Sequence, residues 1–268
     1  MNAFAIHFSY DFRTGIRNKS LLMMNYLFPL SFFLMMGLIL PGLNPYFLQA
    51  MMPAMVVFAI LTATLMGLPQ PLVDAREAGV FRSYKINGVP SSSILAIPAL
   101  TTTLHLVIAA TIITVGAPLL FGAPSPVNWG GYALTFLAAT LSSAGISVLI
   151  GVVSPNSRAQ MLWSQLVFLP SILLGGMMIP YAELPEAAGR FARLLPATHA
   201  MNAFNALAMG EAADFSAWGS IIALALSGIL GFALAVYLFT WDSHNTRRRG
   251  HPTLALLVLV PFVLMMLL

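Results

Sequence analysis

Charged residues are unevenly spaced along the chain. No Asp, Glu, Lys or Arg occurs over the 54 residues 20–73, nor over the 72 residues 86–157. Two shorter charge-free runs follow, 24 residues at 159–182 and 27 at 215–241. A helix that crosses a bilayer needs about 20 apolar residues. Each long run therefore accommodates two crossings and a turn, and each shorter run accommodates one. Six spans are expected, near 21–40, 47–68, 93–121, 129–153, 159–179 and 215–240. Turns rich in Pro, Gly and Asn separate them, and Pro170 is expected to kink the fifth.

The segments between and beyond the spans differ in character. In residues 1–19, Phe4, Phe8, Phe12 and Ile16 recur every four positions. This stripe predicts an amphipathic helix lying in the membrane interface, the plain alternative being a basic tail. Residues 74–90 form a polar stretch. If it is one helix, Val73, Val80 and Tyr84 share a side, and Asp74, Arg82 and Lys85 lie elsewhere. Residues 180–214 mix apolar positions with charges and prolines in pieces too short to span. They read as short re-entrant helices that dip into the membrane or lie on it. After Arg247, Arg248 and Arg249, residues 253–268 are apolar again. At about 1.5 Å per residue they reach about 24 Å, against a core of about 30 Å. A short seventh span and a helix packed along the interface are both open.

Composition and charge narrow the class. Hydrophobic residues make up 59% of the 268 and charged residues 7%, against about 25% charged in soluble domains. This excludes a soluble enzyme or a nucleic-acid binder, despite the net charge of +4. With the N-terminus in the cytoplasm, ten of the 12 basic residues fall on the cytoplasmic side and only Arg190 and Arg193 outside. The positive-inside rule therefore predicts a multi-pass membrane protein with its N-terminus cytoplasmic. The first apolar run begins at Leu21 and is too long for a cleaved signal, so it reads as a retained span. There is no cysteine, so thiolate chemistry and Cys-ligated metal are excluded. The chain reads as a membrane domain over 1–245, followed by a basic linker and an apolar segment over 246–268.

Few residues carry candidate chemistry. A glycine-rich phosphate cradle ending in Gly-Lys-Ser/Thr is absent. His105 lies inside the third span with Thr101 one turn before it, close enough along the helix to hydrogen-bond to it. Ionisable residues at that depth are functional candidates, although a neutral His at a helix interface is the commoner outcome. Gln165, Gln160 and Ser164 in the fifth span and Asn25 in the first are further polar groups, which more often join helices than bind ligand. Thr101, His105 and Gln165 are taken as a candidate substrate path. A membrane-embedded enzyme acting on lipid would need converging acids, bases or metal ligands. His199, Glu183 and Glu186 lack metal-ligand spacing. An ion-coupled carrier would normally place a carboxylate inside a span, and none of the eight acids lies there. A scaffold that only anchors other proteins is a third alternative.

Three stretches carry a resemblance. The first runs over residues 72–95, with Arg76, Glu77 and Gly79 at its centre and Gly88, Val89 and Pro90 leading to the third span. The second has Gly175, Gly176, Pro180, Leu184 and Pro185. The third has Leu195, Pro196, Thr198, His199 and Asn202. In order and spacing they resemble the permeases of ABC type-2 transporters. That resemblance implies the permease subunit of an ATP-driven exporter for an apolar or amphipathic substrate such as a drug-like compound or a lipid. It implies a second permease copy, as homo- or heterodimer, and a separate ATP-binding subunit. ATP and Mg would sit on that partner, leaving no cofactor to this chain. Arg76, Glu77, Gly79 and Arg82 would lie at the docking surface of a coupling helix. Gly175, Gly176, Pro180, Pro185 and Pro196 would shape an extracytoplasmic gate, and the bacterial inner membrane would be the location. His199 stands where relatives often have an aromatic residue, relatives often carry an Arg near Asn205, and the apolar tail after Arg249 is untypical.

Overall fold

Eleven helical segments, α1 to α11, carry the fold in a computed structural model that describes residues 3–44, 47–242 and 249–267. All regular elements among these residues are helical. α1 (Ala3–Arg17) is the expected N-terminal helix. α2 (Lys19–Leu43) and α3 (Phe47–Glu77) follow, then α4 (Val80–Ile86), α5 (Ser91–Phe121) and α6 (Trp129–Val153). α7 (Ser157–Leu174) leads to the short α8 (Glu186–Ala192) and α9 (Pro196–Ala203). α10 (Ala217–Leu238) and α11 (Pro252–Leu267) complete the bundle. Arg247 and Arg248 lie outside the described residues.

Five helices, α2, α3, α5, α6 and α10, are long and apolar enough to cross a membrane. The expected fifth span is less apolar. α7 has 18 residues, carries Arg158, Gln160 and Gln165, and stops at Leu174 rather than continuing to residue 179. A left-handed turn at Gly176, φ +84°, ends it there. Side chains cap several helix starts. Asn128, Asn156 and Ser216 accept from the amides of Gly131, Ala159 and Gly219 at 2.9–3.0 Å, which satisfies donors that have no intrahelical partner.

The core is built on α3, most of whose residues are buried, and on the closely packed pair α6 and α10. At their crossing, a Cβ on Gly145 would lie 2.4 Å from the Gly228 carbonyl oxygen, and one on Gly228 would lie 2.6 Å from that of Leu141. Lipid chains are as apolar as leucine, so helices in membranes associate through close packing of small residues. Here the backbones touch because neither glycine carries a side chain.

α11 runs antiparallel to α10 along its length. Gly250 lies beside Leu238, Ser227 Oγ donates to the Val258 carbonyl at 3.0 Å, and Met265 lies beside Gly219. Its first eight residues, Pro252–Leu259, form a 3-10 helix, which rises about 2.0 Å per residue against about 1.5 Å for the α form. The 16 residues therefore extend about 28 Å, not the 24 Å expected from an α-helix throughout.

Candidate functional site: the basic end and its cavity

The helix directions bring the ends of α3, α6 and α10 and the starts of α5 and α7 to one end of the bundle. Arg76, Arg82, Lys85 and Arg158 lie there, and it is called the basic end below. The polar stretch is not one helix. α3 continues past Pro69 and Pro71 to Glu77. Gly79 then takes φ +74°, a left-handed conformation that side chains disfavour, and α4 starts in a new direction. This break shifts the helical phase, so Val80 is exposed and Phe81 is the buried residue of α4. The shared face of Val73, Val80 and Tyr84 is not formed.

Two residues fasten this platform to the spans. Arg76 is 5% exposed. Its guanidinium donates to the carbonyls of Val152 at 2.8 Å, Gly151 at 3.4 Å and Ser154. It therefore closes the C-terminal turn of α6, where carbonyls lack partners and the helix dipole favours a cation. Arg82 forms an ion pair with Asp242 just beyond α10, and Phe81 packs on Phe239 at 5.2 Å. Gln70 donates to Asp74 Oδ1 at 2.7 Å and to Ser157 Oγ at 2.9 Å, tying the platform to α7. Glu77, Arg82 and Lys85 are exposed, and Ile86 is 85% exposed.

His105 and Thr101 are neighbours, but not of each other's hydrogen bonds. Thr101 Oγ1 donates to Asp11 Oδ2 on α1 at 2.5 Å, with the carbonyls of Ile97 and Pro98 at 3.0–3.1 Å as the alternative acceptors of its one hydrogen. His105 Nδ1 pairs with the Tyr26 hydroxyl at 2.7 Å, and Phe12 stacks on the imidazole at 4.4 Å. Gly15 completes the contact, since a methyl there would sit 2.5 Å from His105 Nε2. α1 thus packs on α5 through Asp11, Phe12 and Gly15, while Ile16 of the expected stripe is 50% exposed. Positions 8, 11, 12 and 15 form one helical face, a signal that the count of aromatic residues every four positions missed. Gln165 does not join this cluster. Its amide donates to Met66 Sδ on α3 at 3.7 Å. Beneath α1 and the platform lies a cavity of about 190 Å³, lined by Asp11, Asn25, Thr101, Thr102, His105 and residues of α3 and α4.

At the other end, Gly175 ends α7 against Ala197 of α9, and Gly176 lies beside Met201. Pro180 and Pro185 precede two short turns of helix, and Pro196 opens α9. His199 is buried. Its Nε2 donates to the Arg193 carbonyl at 2.8 Å, and Nδ1 lies 3.2 Å from Ser220 Oγ. Burial lowers its pKa from 6.5 to about 4, so it is neutral at pH 7. Asn202 bridges α9 to the start of α10 by accepting from the Asp214 amide and donating to the Phe215 carbonyl, both at 2.9 Å. Arg193 donates to the Met265 carbonyl at 2.8 Å and lies 4.8 Å over the Phe215 ring. Burial raises the pKa of Glu211 and Asp214 nearby.

Among the described residues, no group of His, Asp and Glu is placed to hold a metal ion. No curated protein and no solved structure matches the chain. A family model does match. Described as ABC-2 type transporter, it covers residues 2–209, which includes α1, the platform and the outer turns up to α9. Members are multi-pass transport subunits that work with an ATP-binding subunit and are not themselves the catalyst. The apolar helices, the platform at their basic end and this match agree that the chain belongs to the ABC-2 type transporter permease family.

Proposed function

We propose that this chain is the membrane half of an ATP-driven exporter, with the basic end in the cytoplasm. Two permeases pair, and each platform docks on an ATP-binding subunit that holds ATP and Mg. Cargo that is apolar or amphipathic crosses between the permeases, and the turns from Gly175 to Pro196 close the path outside. The observation that carries this reading is the mounting of α4. It presents Val80 and Ile86 beside Glu77, Arg82 and Lys85, while Arg76 and the Arg82–Asp242 pair tie the platform to α6 and α10. A partner that moves α4 therefore moves packed helices as a body, the kind of rigid shift that packed interfaces transmit. The partner's nucleotide state drives the change only through its differential affinity for the two forms.

Co-purification with the ATP-binding subunit tests this. Glu77→Lys or Ile86→Asp is expected to abolish the complex while leaving membrane insertion and thermal stability unchanged. A complex that survives both substitutions refutes docking at α4.

The same reading makes α11 a seventh crossing that starts at the cytoplasmic side. The chain has no cysteine, so single cysteines report cleanly. A cysteine at position 250 is expected to react only from the cytoplasmic side and one at 266 only from outside. Labelling of both from one side would place α11 along the interface instead.

A further inference from the structure

The cavity beneath α1 lies behind the exposed face of α4, with Phe81 and Tyr84 in its wall, and has its own chemistry. Among the described residues that line it, Asp11 alone is charged; Arg13, Arg17, Arg82 and Lys85 are not part of its wall. Two polar atoms buried in its wall residues lack hydrogen-bond partners, Asn25 Oδ1 and His105 Nε2. Both residues are at least 98% buried, at 2% and 1% exposure. Buried polar groups left unpaired are unfavourable, and one in a native fold calls for an explanation such as an occupant. Asn25 and Tyr26 are presented by a π turn, Met23–Leu27, and a second π turn, Thr62–Met66, leads to the wall residues Gly67 and Leu68. Such turns interrupt helices frequently at functional sites.

We infer that this cavity binds a primary ammonium group carried on an alkyl chain. Two acceptors in its wall suit such a donor. The Asp11 carboxylate supplies the charge, and Thr101 holds it in place by donating to Oδ2. Asn25 Oδ1 supplies a second acceptor. His105 closes the wall beside them, its Nδ1 paired with the Tyr26 hydroxyl. The remaining wall, from Leu68, Leu72, Phe81 and Ile94, is apolar and suits the chain. The ammonium belongs either to a lipid headgroup or to a free amine. Because binding needs no ATP-binding subunit, this inference stands or falls apart from the exporter reading.

The test is calorimetric titration of the full chain in phosphatidylcholine nanodiscs, with empty nanodiscs subtracted. n-Octylamine is expected to bind saturably, with n-octanol and octyltrimethylammonium at least tenfold weaker. Asp11→Asn keeps an oxygen for Thr101 and removes the charge, and it is expected to weaken octylamine at least tenfold at an unchanged melting temperature. Ala75→Leu, which puts bulk into the cavity and leaves the Asp11 carboxylate in place, is expected to do the same and decides the matter if Asp11→Asn unfolds. Equal binding of the trimethyl compound or the alcohol, wild-type affinity in both variants, or no saturable heat overturns the inference. Adding phosphatidylethanolamine to the nanodisc then names the source: competition assigns the lipid headgroup, and its absence assigns a free amine.

Discussion

Arg76 distinguishes a docking role from an architectural one. Replacing it with Met keeps a stem of similar length and removes the guanidinium. Three carbonyls at the end of α6 then lose a cation, those of Gly151, Val152 and Ser154. A hydrogen bond to a charged group contributes about 1.5–3 kcal/mol. The Gly151 contact is long at 3.4 Å, so two bonds of full strength are lost, about 3–6 kcal/mol. Water reaching the newly opened end of α6 offsets part of this, and about 3 kcal/mol is the expected net loss. Arg76→Lys keeps the charge but not the fork, and about half that loss is expected. The assay is unfolding of the purified chain by SDS in mixed micelles, read by circular dichroism. Hydrogen exchange would be followed at residues 151–158 and 69–77. Faster exchange confined to those two stretches is expected in Arg76→Met. The reasoning is refuted if Arg76→Met unfolds at the wild-type SDS fraction with unchanged exchange and yet fails to bind the ATP-binding subunit. Arg76 would then touch the partner rather than hold the helix end.

Other outcomes follow from the same structure. The pKa of His199 is lower in the folded chain, about 4, than its ordinary 6.5. Its stabilisation is complete above pH 6.5 and falls as pH drops towards 4, by about 3 kcal/mol over that window. Glu211 and Asp214 are shifted upward and act in the opposite sense, and the Arg193 cation opposes charging of His199. The measurement is therefore the difference in melting temperature between wild type and His199→Gln from pH 7 to pH 4.5, with the variant losing less. Gly228→Val drives a side chain into the Leu141 carbonyl. Overpacking of this kind costs about 1–3 kcal/mol, and a lower melting temperature with loss of the α6–α10 contact by cross-linking is expected. Arg82→Ala removes the pair with Asp242, an exposed interaction of at most about 1 kcal/mol. Stability should scarcely change, whereas coupling of ATP hydrolysis to export should fall.

Length and charge spacing alone placed this chain in a membrane. Burying a charge in hydrocarbon is so unfavourable that charge-free runs mark spans whatever the packing. The starts of α6, α7 and α10 rest on equally local chemistry, the side-chain caps Asn128, Asn156 and Ser216. The contacts of the basic end were not legible. Arg76 and Glu77 are adjacent in sequence and equally polar, yet one closes the end of α6 from 75 residues away and the other faces outward. Only the approach of α6 to α3 separates them. The cavity likewise depends on Asp11 meeting Thr101 across 90 residues. α11 is longer than its residue count suggests because a 3-10 stretch, held against α10 by contacts such as Ser227 to Val258, reaches further per residue than an α-helix does. Local free energy determined which segments are apolar and where helices begin. Pairing between distant segments, which no local pattern encodes, decided what each polar residue does.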